Sequence, residues 1–174
     1  VMPLAPHVEV LDPPASIDDM YRMQVRPPLR HAQAFLQSDG VTPLPGFELP
    51  QSPSFNESNI SDKPAWLRNG LIAGSPWDPL DADDVAAFRR LHIQRLQSLL
   101  AIDEMVGNIA QALSAEARDN TLFVFTSDNG FMLGEHRLGN KMFPYEESIR
   151  VPLYIKPPIH QPVPPATSAQ MVVN

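Results

Sequence analysis

A helical repeat of apolar positions dominates the second half of the chain. Apolar side chains recur every three or four residues over positions 85–113, which is the spacing of an amphipathic helix. Asp81, Asp83 and Asp84 precede this repeat and supply a side-chain cap and negative charge for a first helical turn. The pattern therefore predicts one long helix, or two helices with a bend, over residues 83–117.

A short run that is apolar on both faces follows the helical repeat. Residues 121–126 (TLFVFT) are β-branched and aromatic, which favours a central strand buried on both sides, as in a parallel sheet covered by helices. Residues 149–156 (IRVPLYIK) form a second candidate strand, in which Pro152 implies an edge position or a bulge. Residues 1–4 and 171–173 are candidates for two further strands. Because helix and buried strand follow one another, the predicted fold class is α/β.

Proline divides the chain into zones. Thirteen of the 20 prolines lie in residues 3–79, none lies in residues 80–143, and seven lie in residues 144–165. Proline lacks an amide donor and disfavours helix in the residue before it. We therefore expect the first 80 residues to be mostly extended or looped, with short helices possible only at residues 17–22 and 30–36.

The overall composition limits the class of protein. A length of 174 residues suits one domain, in which residues 1–80 form a proline-rich loop region, residues 81–118 a long helix and residues 119–174 a strand segment. The net charge of −7 argues against a nucleic-acid partner. The sequence contains no run of 18 apolar residues, so it predicts no membrane-spanning helix. The absence of cysteine excludes disulfides, thiolate zinc sites and a cysteine nucleophile within these 174 residues.

Two groups of polar residues are candidates for chemistry. Asp128 and Asn129, followed by Gly130, come directly after the first candidate strand, where open α/β sheets bind ligands. A carboxylate and an amide oxygen suit a hard cation such as Ca²⁺ or Mg²⁺, although Asp-Asn-Gly is also a common turn sequence. His136 and Lys141 add an imidazole and an amine, which could bind an anionic substrate or could belong to a solvated polar loop.

Residues 121–155 resemble the type I sulfatases of the alkaline-phosphatase superfamily. The resemblance lies in an apolar strand followed by S-D-N-G, then L-G-E-H-x-L, a lysine four residues before Y-E, and I-R-V-P. Residues 5–7 and 52–68 are similar to the arylsulfatase and N-acetylglucosamine-6-sulfatase branch. The similarity is weakest over residues 11–29. It implies a mixed sheet flanked by helices, and hydrolysis of a sulfate ester on an aryl group or a sugar.

The resemblance also implies roles for individual residues. Asp128 and Asn129 match metal ligands that usually hold Ca²⁺, and Lys141 matches a lysine that contacts the sulfate group. His7 matches a histidine that contacts the sulfate or the leaving-group oxygen, and His136 belongs to a motif near the substrate pocket. The family resemblance further favours a secreted, periplasmic or lysosomal-type protein.

The sequence departs from the family pattern at the nucleophile. Such sulfatases use a formylglycine made from Cys or Ser in a C/S-x-P-x-R motif, which this sequence lacks. The nearest approach is residues 61–65 (SDKPA), where proline comes one place late. The family's early pair of metal-binding aspartates also has no counterpart, and a sulfatase would continue beyond Asn174. We therefore expect a central-to-C-terminal fragment that is inactive alone and that could self-associate through exposed sheet edges.

The sequence leaves two alternative functions open. The first is a phosphodiesterase or phosphonate hydrolase of the same superfamily, although Asn129 favours a sulfatase because related phosphatases more often carry His after that aspartate. The second is a non-catalytic remnant or an interaction module that uses the proline-rich region.

Overall fold

The computed structural model describes residues 29–69, 78–161 and 163–164. His7, the candidate strands at 1–4 and 171–173 and the candidate helix at 17–22 lie outside the described residues. The described part contains a short 3₁₀ helix at Leu29–His31, helices α1 (Ala65–Asn69), α2 (Ala82–Ala112), α3 (Ala115–Asp119) and α4 (Glu146–Ile149), and strands β1 (Phe123–Thr126), β2 (Met132–Leu133), β3 (Gly139–Asn140) and β4 (Leu153–Lys156).

The long helix α2 begins with the cap that the sequence predicts. The Asp81 carboxylate accepts hydrogen bonds from the backbone amides of Asp83 at 2.8 Å and Asp84 at 2.9 Å. The Asp84 carboxylate in turn accepts the Asp81 amide at 3.2 Å, which completes a capping box. The helix ends at Ala112, and α3 starts after Ser114, whose hydroxyl caps it. The predicted helical segment is therefore confirmed as two helices.

Strand β1 pairs antiparallel with β4, so that Phe123 faces Lys156 and Val124 faces Ile155. The prediction of a central strand in a parallel sheet, buried on both sides, is wrong for the described residues. In that part of the chain β1 and β4 form a two-stranded sheet, and most of their side chains are exposed. The sequence shows that β1 is apolar on both faces. A local pattern cannot show whether another layer of structure covers those faces.

The proline-rich region is irregular, as expected, but it contributes to two packed clusters. In the first cluster Leu49 is buried with Phe88 and Leu91 of α2. In the second, Leu67 of α1 is buried with Met132 and Leu138. Together the clusters hold the loops before α2 against the segment that follows β1. The fold class is α/β, with helices beside small antiparallel sheets.

A buried glutamine fixes the start of the described chain to α2. The Gln97 side-chain amide donates hydrogen bonds to the carbonyl oxygens of Ala32 at 2.9 Å and Ala34 at 3.0 Å. These bonds satisfy carbonyls that would otherwise be left unpaired against the helix. Among the described helices, none is both long enough and apolar enough to cross a membrane.

Candidate functional site

The turn after β1 is held by its own side chains. The Asp128 carboxylate accepts the backbone amide of Asn129 at 2.9 Å, and the Ser127 hydroxyl donates to the Asn129 carbonyl at 3.1 Å. The Gly130 amide donates to the Ser148 carbonyl of α4 at 2.7 Å. These bonds fix the turn that carries Asp128 and Asn129, so the turn interpretation and the site interpretation of this sequence are compatible.

Gly130 is required by the close approach of this turn to α4. A Cβ atom at position 130 would lie 2.0 Å from the carbonyl oxygen of Glu147 and 3.0 Å from that of Arg150. Both obstacles are backbone atoms, so neither can move aside as a side chain would. The glycine therefore sets where the preceding two site residues lie relative to α4.

Lys141 reaches the same turn through a small hairpin. Strand β2 pairs antiparallel with β3, with Leu133 opposite Gly139, and Lys141 follows β3 directly. Its ammonium nitrogen lies 3.0 Å from the Asn129 amide oxygen and 3.9 Å from the nearer Asp128 carboxylate oxygen. The structure thus brings together three of the five site residues that the sequence predicts.

These three residues line a cleft of about 360 Å³. Its remaining lining consists of side chains from α2, the turn and the hairpin, namely Arg95, Ser127, Phe131 and Asn140. The cleft is polar and carries both charge signs, since two cations and a carboxylate face it. Such a surface can hold a cation and an oxyanion side by side.

Arg95 also lines the cleft, and it is not among the site residues predicted from the sequence. The guanidinium of Arg95 lies 4.3 Å from the ring centroid of Phe131, and burial lowers its pKa from the usual arginine value. Arg95 comes seven residues after Phe88 and four after Leu91, both buried. A charged residue on the apolar face of a helix was the signal that could have identified it.

His136 lies in a separate cluster and is not among the residues that line the cleft. Its Nδ1 atom is 2.7 Å from a Glu57 carboxylate oxygen, its Nε2 atom is 3.9 Å from a Glu147 oxygen, and its ring centroid is 4.1 Å from that of Tyr145. Lys63 also reaches Glu57, at 3.2 Å. Burial raises the pKa of Glu57, but the hydrogen bonds from His136 and Lys63 outweigh it, and the net pKa lies below the ordinary value.

The backbone around His136 is unusual for its residue types. His136 has φ 53° and Arg137 has φ 61°. Both values lie in the left-handed backbone region, which residues other than glycine rarely adopt. The buried Arg137 side chain donates to the carbonyl oxygens of Glu57 at 2.9 Å and Ser58 at 2.9 Å. These contacts hold the strained turn against the segment around Glu57.

A metal ion would find oxygen donors of the right kind in the cleft. Asp128 offers a carboxylate and Asn129 an amide oxygen, and both face the positive charge of Lys141. Calcium takes six to eight oxygen ligands, so these two side chains fit in kind but do not complete a site. Within residues 29–69, 78–161 and 163–164, no cluster of three His, Cys, Asp or Glu side chains is arranged to hold a metal ion.

Comparison with known proteins identifies relatives of this chain. The chain is 31% identical to an arylsulfatase of Volvox carteri over 163 residues, which cover 91% of this chain and 23% of that protein. It is 47% identical to an N-acetylglucosamine-6-O-sulfatase of Bacteroides thetaiotaomicron over 64 residues, which cover 36% of this chain and 12% of that protein. The chain thus spans between about a quarter and a third of the length of the curated relatives that match most of it.

One similar solved structure is that of a protein in complex with its substrate D-glucosamine-2-N,6-O-disulfate. The match covers 78% of this chain and 36% of the chain in that solved structure, with a TM-score of 0.46 and 22% sequence identity. The model of the family described as Sulfatase matches residues 1–173. The resemblance inferred from the sequence motifs is therefore confirmed, and the chain belongs to the sulfatase family.

Proposed function

We propose that this chain forms the metal- and sulfate-binding part of a sulfuric ester hydrolase that acts on an aryl or sugar sulfate. The observation that carries the proposal is the convergence of Lys141 on Asn129 and Asp128, at 3.0 Å and 3.9 Å, in one cleft. Hydrolysis of a sulfate ester needs a cation to neutralise the sulfate oxygens, a nucleophile and an acid for the leaving oxygen. The described cleft has groups suited to the first of these tasks.

Each side chain of the cleft has a role that follows from its chemistry. Asp128 and Asn129 would bind Ca²⁺, or Mg²⁺, which supplies positive charge to sulfate oxygens when it is bound. The Lys141 ammonium, with three donor hydrogens and a half-exposed side chain, can hold a sulfate oxygen as a point charge. The roles of His7 at the leaving group and of His136 in substrate binding remain predictions from the family resemblance.

The nucleophile is the part that this sequence does not contain. Formylglycine requires a C/S-x-P-x-R motif, and no such motif occurs in the 174 residues. We therefore expect the chain to bind a sulfate ester without turning it over. Secretion and self-association through the edges of β1 and β4 likewise remain predictions, and sedimentation of the purified chain tests the latter.

The proposal is tested by binding measurements on the chain itself. Calorimetric titration with Ca²⁺ should show binding that Asp128→Ala weakens at least tenfold and that Asp103→Ala, which removes an exposed carboxylate of α2, leaves unchanged. Titration with 4-nitrophenyl sulfate and with methyl 4-nitrophenyl phosphate, a diester of the same charge, in the presence of Ca²⁺ should favour the sulfate. A preference for the phosphate would support a phosphodiesterase or phosphonate hydrolase, and failure to bind Ca²⁺ and both esters would support a non-catalytic module.

A further inference from the structure

Arg95 enters the candidate cleft from a different element than the other charged groups. Asp128, Asn129 and Lys141 belong to the turn and the hairpin, whereas Arg95 projects from α2, where it is the fourteenth of the 31 residues. A helix of 31 residues with a capped start is a firm support for a side chain. The cleft therefore has two cationic groups on separate supports.

The surroundings of Arg95 leave its charge available to a ligand. The guanidinium stacks over Phe131 at 4.3 Å, and the partial burial that lowers its pKa means that water solvates it poorly. Within the part of the chain that the structure describes, no carboxylate lies within ion-pair distance of Arg95. A poorly solvated cation without a carboxylate partner gains more from an incoming anion than an exposed cation does.

The size of the cleft leaves room for more than one anionic group. A sulfate group has five heavy atoms, and at about 30 Å³ each, the share of a water molecule, it would fill roughly 150 Å³. The cleft measures about 360 Å³. A sulfate bound at Lys141 therefore leaves space in the cleft for the body of a small molecule.

We infer that Arg95 is a specificity-determining residue, which binds a carboxylate or a second sulfate of the substrate, separate from the ester held at Lys141. The planar guanidinium presents paired N–H donors that match two oxygens of such a group. The preferred substrate is accordingly a sulfate ester that carries another negative charge on the same small molecule. This inference rests on the proposed function, because it takes Lys141 as the site of the ester.

The test compares ligands that differ by one charge and by almost no volume. The chain is titrated, with Ca²⁺ present, with phenyl sulfates that carry either a carboxylate or the isosteric neutral carboxamide at ring position 3 or 4. We expect at least one carboxylate ester to bind about tenfold more tightly than its carboxamide, a difference of 1.4 kcal/mol at 25 °C. Arg95→Met should abolish this preference by weakening carboxylate binding more than carboxamide binding, whereas Arg90→Met, an exposed position of α2, should retain the preference.

Further variants separate failure of this inference from failure of the proposed function. Arg95→Lys retains the charge without the planar fork and should keep only part of the preference. If Arg95→Met loses affinity equally for the carboxylate and the carboxamide esters, with its helical circular dichroism intact, the inference is overturned. A wild-type chain that does not prefer the carboxylate ester would also overturn it. If Lys141→Ala leaves both affinities unchanged, the proposed function fails instead, and if the wild-type chain binds none of the esters, both fail.

Discussion

The ammonium of Lys141 lies 3.0 Å from the amide oxygen of Asn129, although 12 positions separate the two residues in the sequence. The intervening chain makes this contact possible because β2 and β3 fold back on each other, with Met132 opposite Asn140. Asn140, at φ 78°, accepts the backbone amide of Lys141 at 2.8 Å and so turns the chain after β3. The contact therefore depends on the hairpin, and the cleft residues from Ser127 to Lys141 lie on one continuous piece of chain, whereas Arg95 comes from α2.

Replacing Lys141 by alanine should weaken ester binding without weakening the fold. A hydrogen bond to a charged group contributes about 1.5–3 kcal/mol, so 4-nitrophenyl sulfate should bind roughly tenfold to a hundredfold more weakly in calorimetry. The side chain is 51% exposed and its ion pair with Asp128 is longer than a hydrogen bond, so the free energy of unfolding should change by less than about 1 kcal/mol. Lys156→Ala, on exposed β4, is the matched control, and equal binding by both variants would contradict the assignment.

Adding one methyl group at Gly130 should displace the turn that carries Asp128 and Asn129. Because the new Cβ would lie 2.0 Å from the Glu147 carbonyl oxygen, Gly130→Ala should lower the free energy of unfolding, measured in urea, by about 1–3 kcal/mol. Gly107→Ala is the control, for which we expect the free energy of unfolding to rise rather than fall. Position 107 is inside α2 with open space around it, and alanine there should stabilise the chain by about 0.5–1 kcal/mol. A Gly130→Ala chain as stable as wild type would show that α4 can move away.

Local sequence features predicted those parts of the structure that local physics determines. The capping carboxylate of Asp81 and the turn at Asp128 form from hydrogen bonds between residues no more than three positions apart. Such bonds recur wherever the same short sequence occurs. The closeness of Lys141 to that turn could also be anticipated, since the family motif contains both.

Contacts between distant parts of the chain were not accessible in this way. Glu57 and His136 meet at 2.7 Å across 79 positions, and nothing local to either residue indicates the other. The exposure of β1 likewise depends on what lies beside it rather than on its own pattern. Arg95 is an intermediate case, because its place on the apolar face of α2 was visible in the sequence but its stacking on Phe131 was not.

The capping box of α2 should have a measurable effect on stability. Asp81→Ala removes the acceptor of two backbone amides, those of Asp83 and Asp84, and should lower the free energy of unfolding by about 1 kcal/mol. Asp81→Asn keeps a side-chain oxygen and should retain most of the stability. Urea unfolding followed by helical circular dichroism measures both variants, and identical curves for Asp81→Ala and wild type would refute a capping role.

The Glu57 carboxylate should make the fold sensitive to acid. Its pKa lies below the ordinary value because the hydrogen bonds from His136 and Lys63 favour the ionised form more than burial disfavours it. A lowered carboxyl pKa contributes stability that is fully present above the unfolded-state value, about 4.3 for glutamate. That contribution is lost as the pH falls through the lower pKa of the folded state.

Substitution of Glu57 by glutamine isolates this contribution. Glu57→Gln is neutral at every pH, so it should be less stable than wild type at about pH 7, and the difference should shrink as the pH approaches about 3. Urea unfolding at several pH values measures the difference, with Glu116→Gln, an exposed carboxylate of α3, as the control for a general change of charge. A gap between wild type and Glu57→Gln that stays constant from neutral to acidic pH would mean that ionisation of Glu57 does not stabilise its contact with His136.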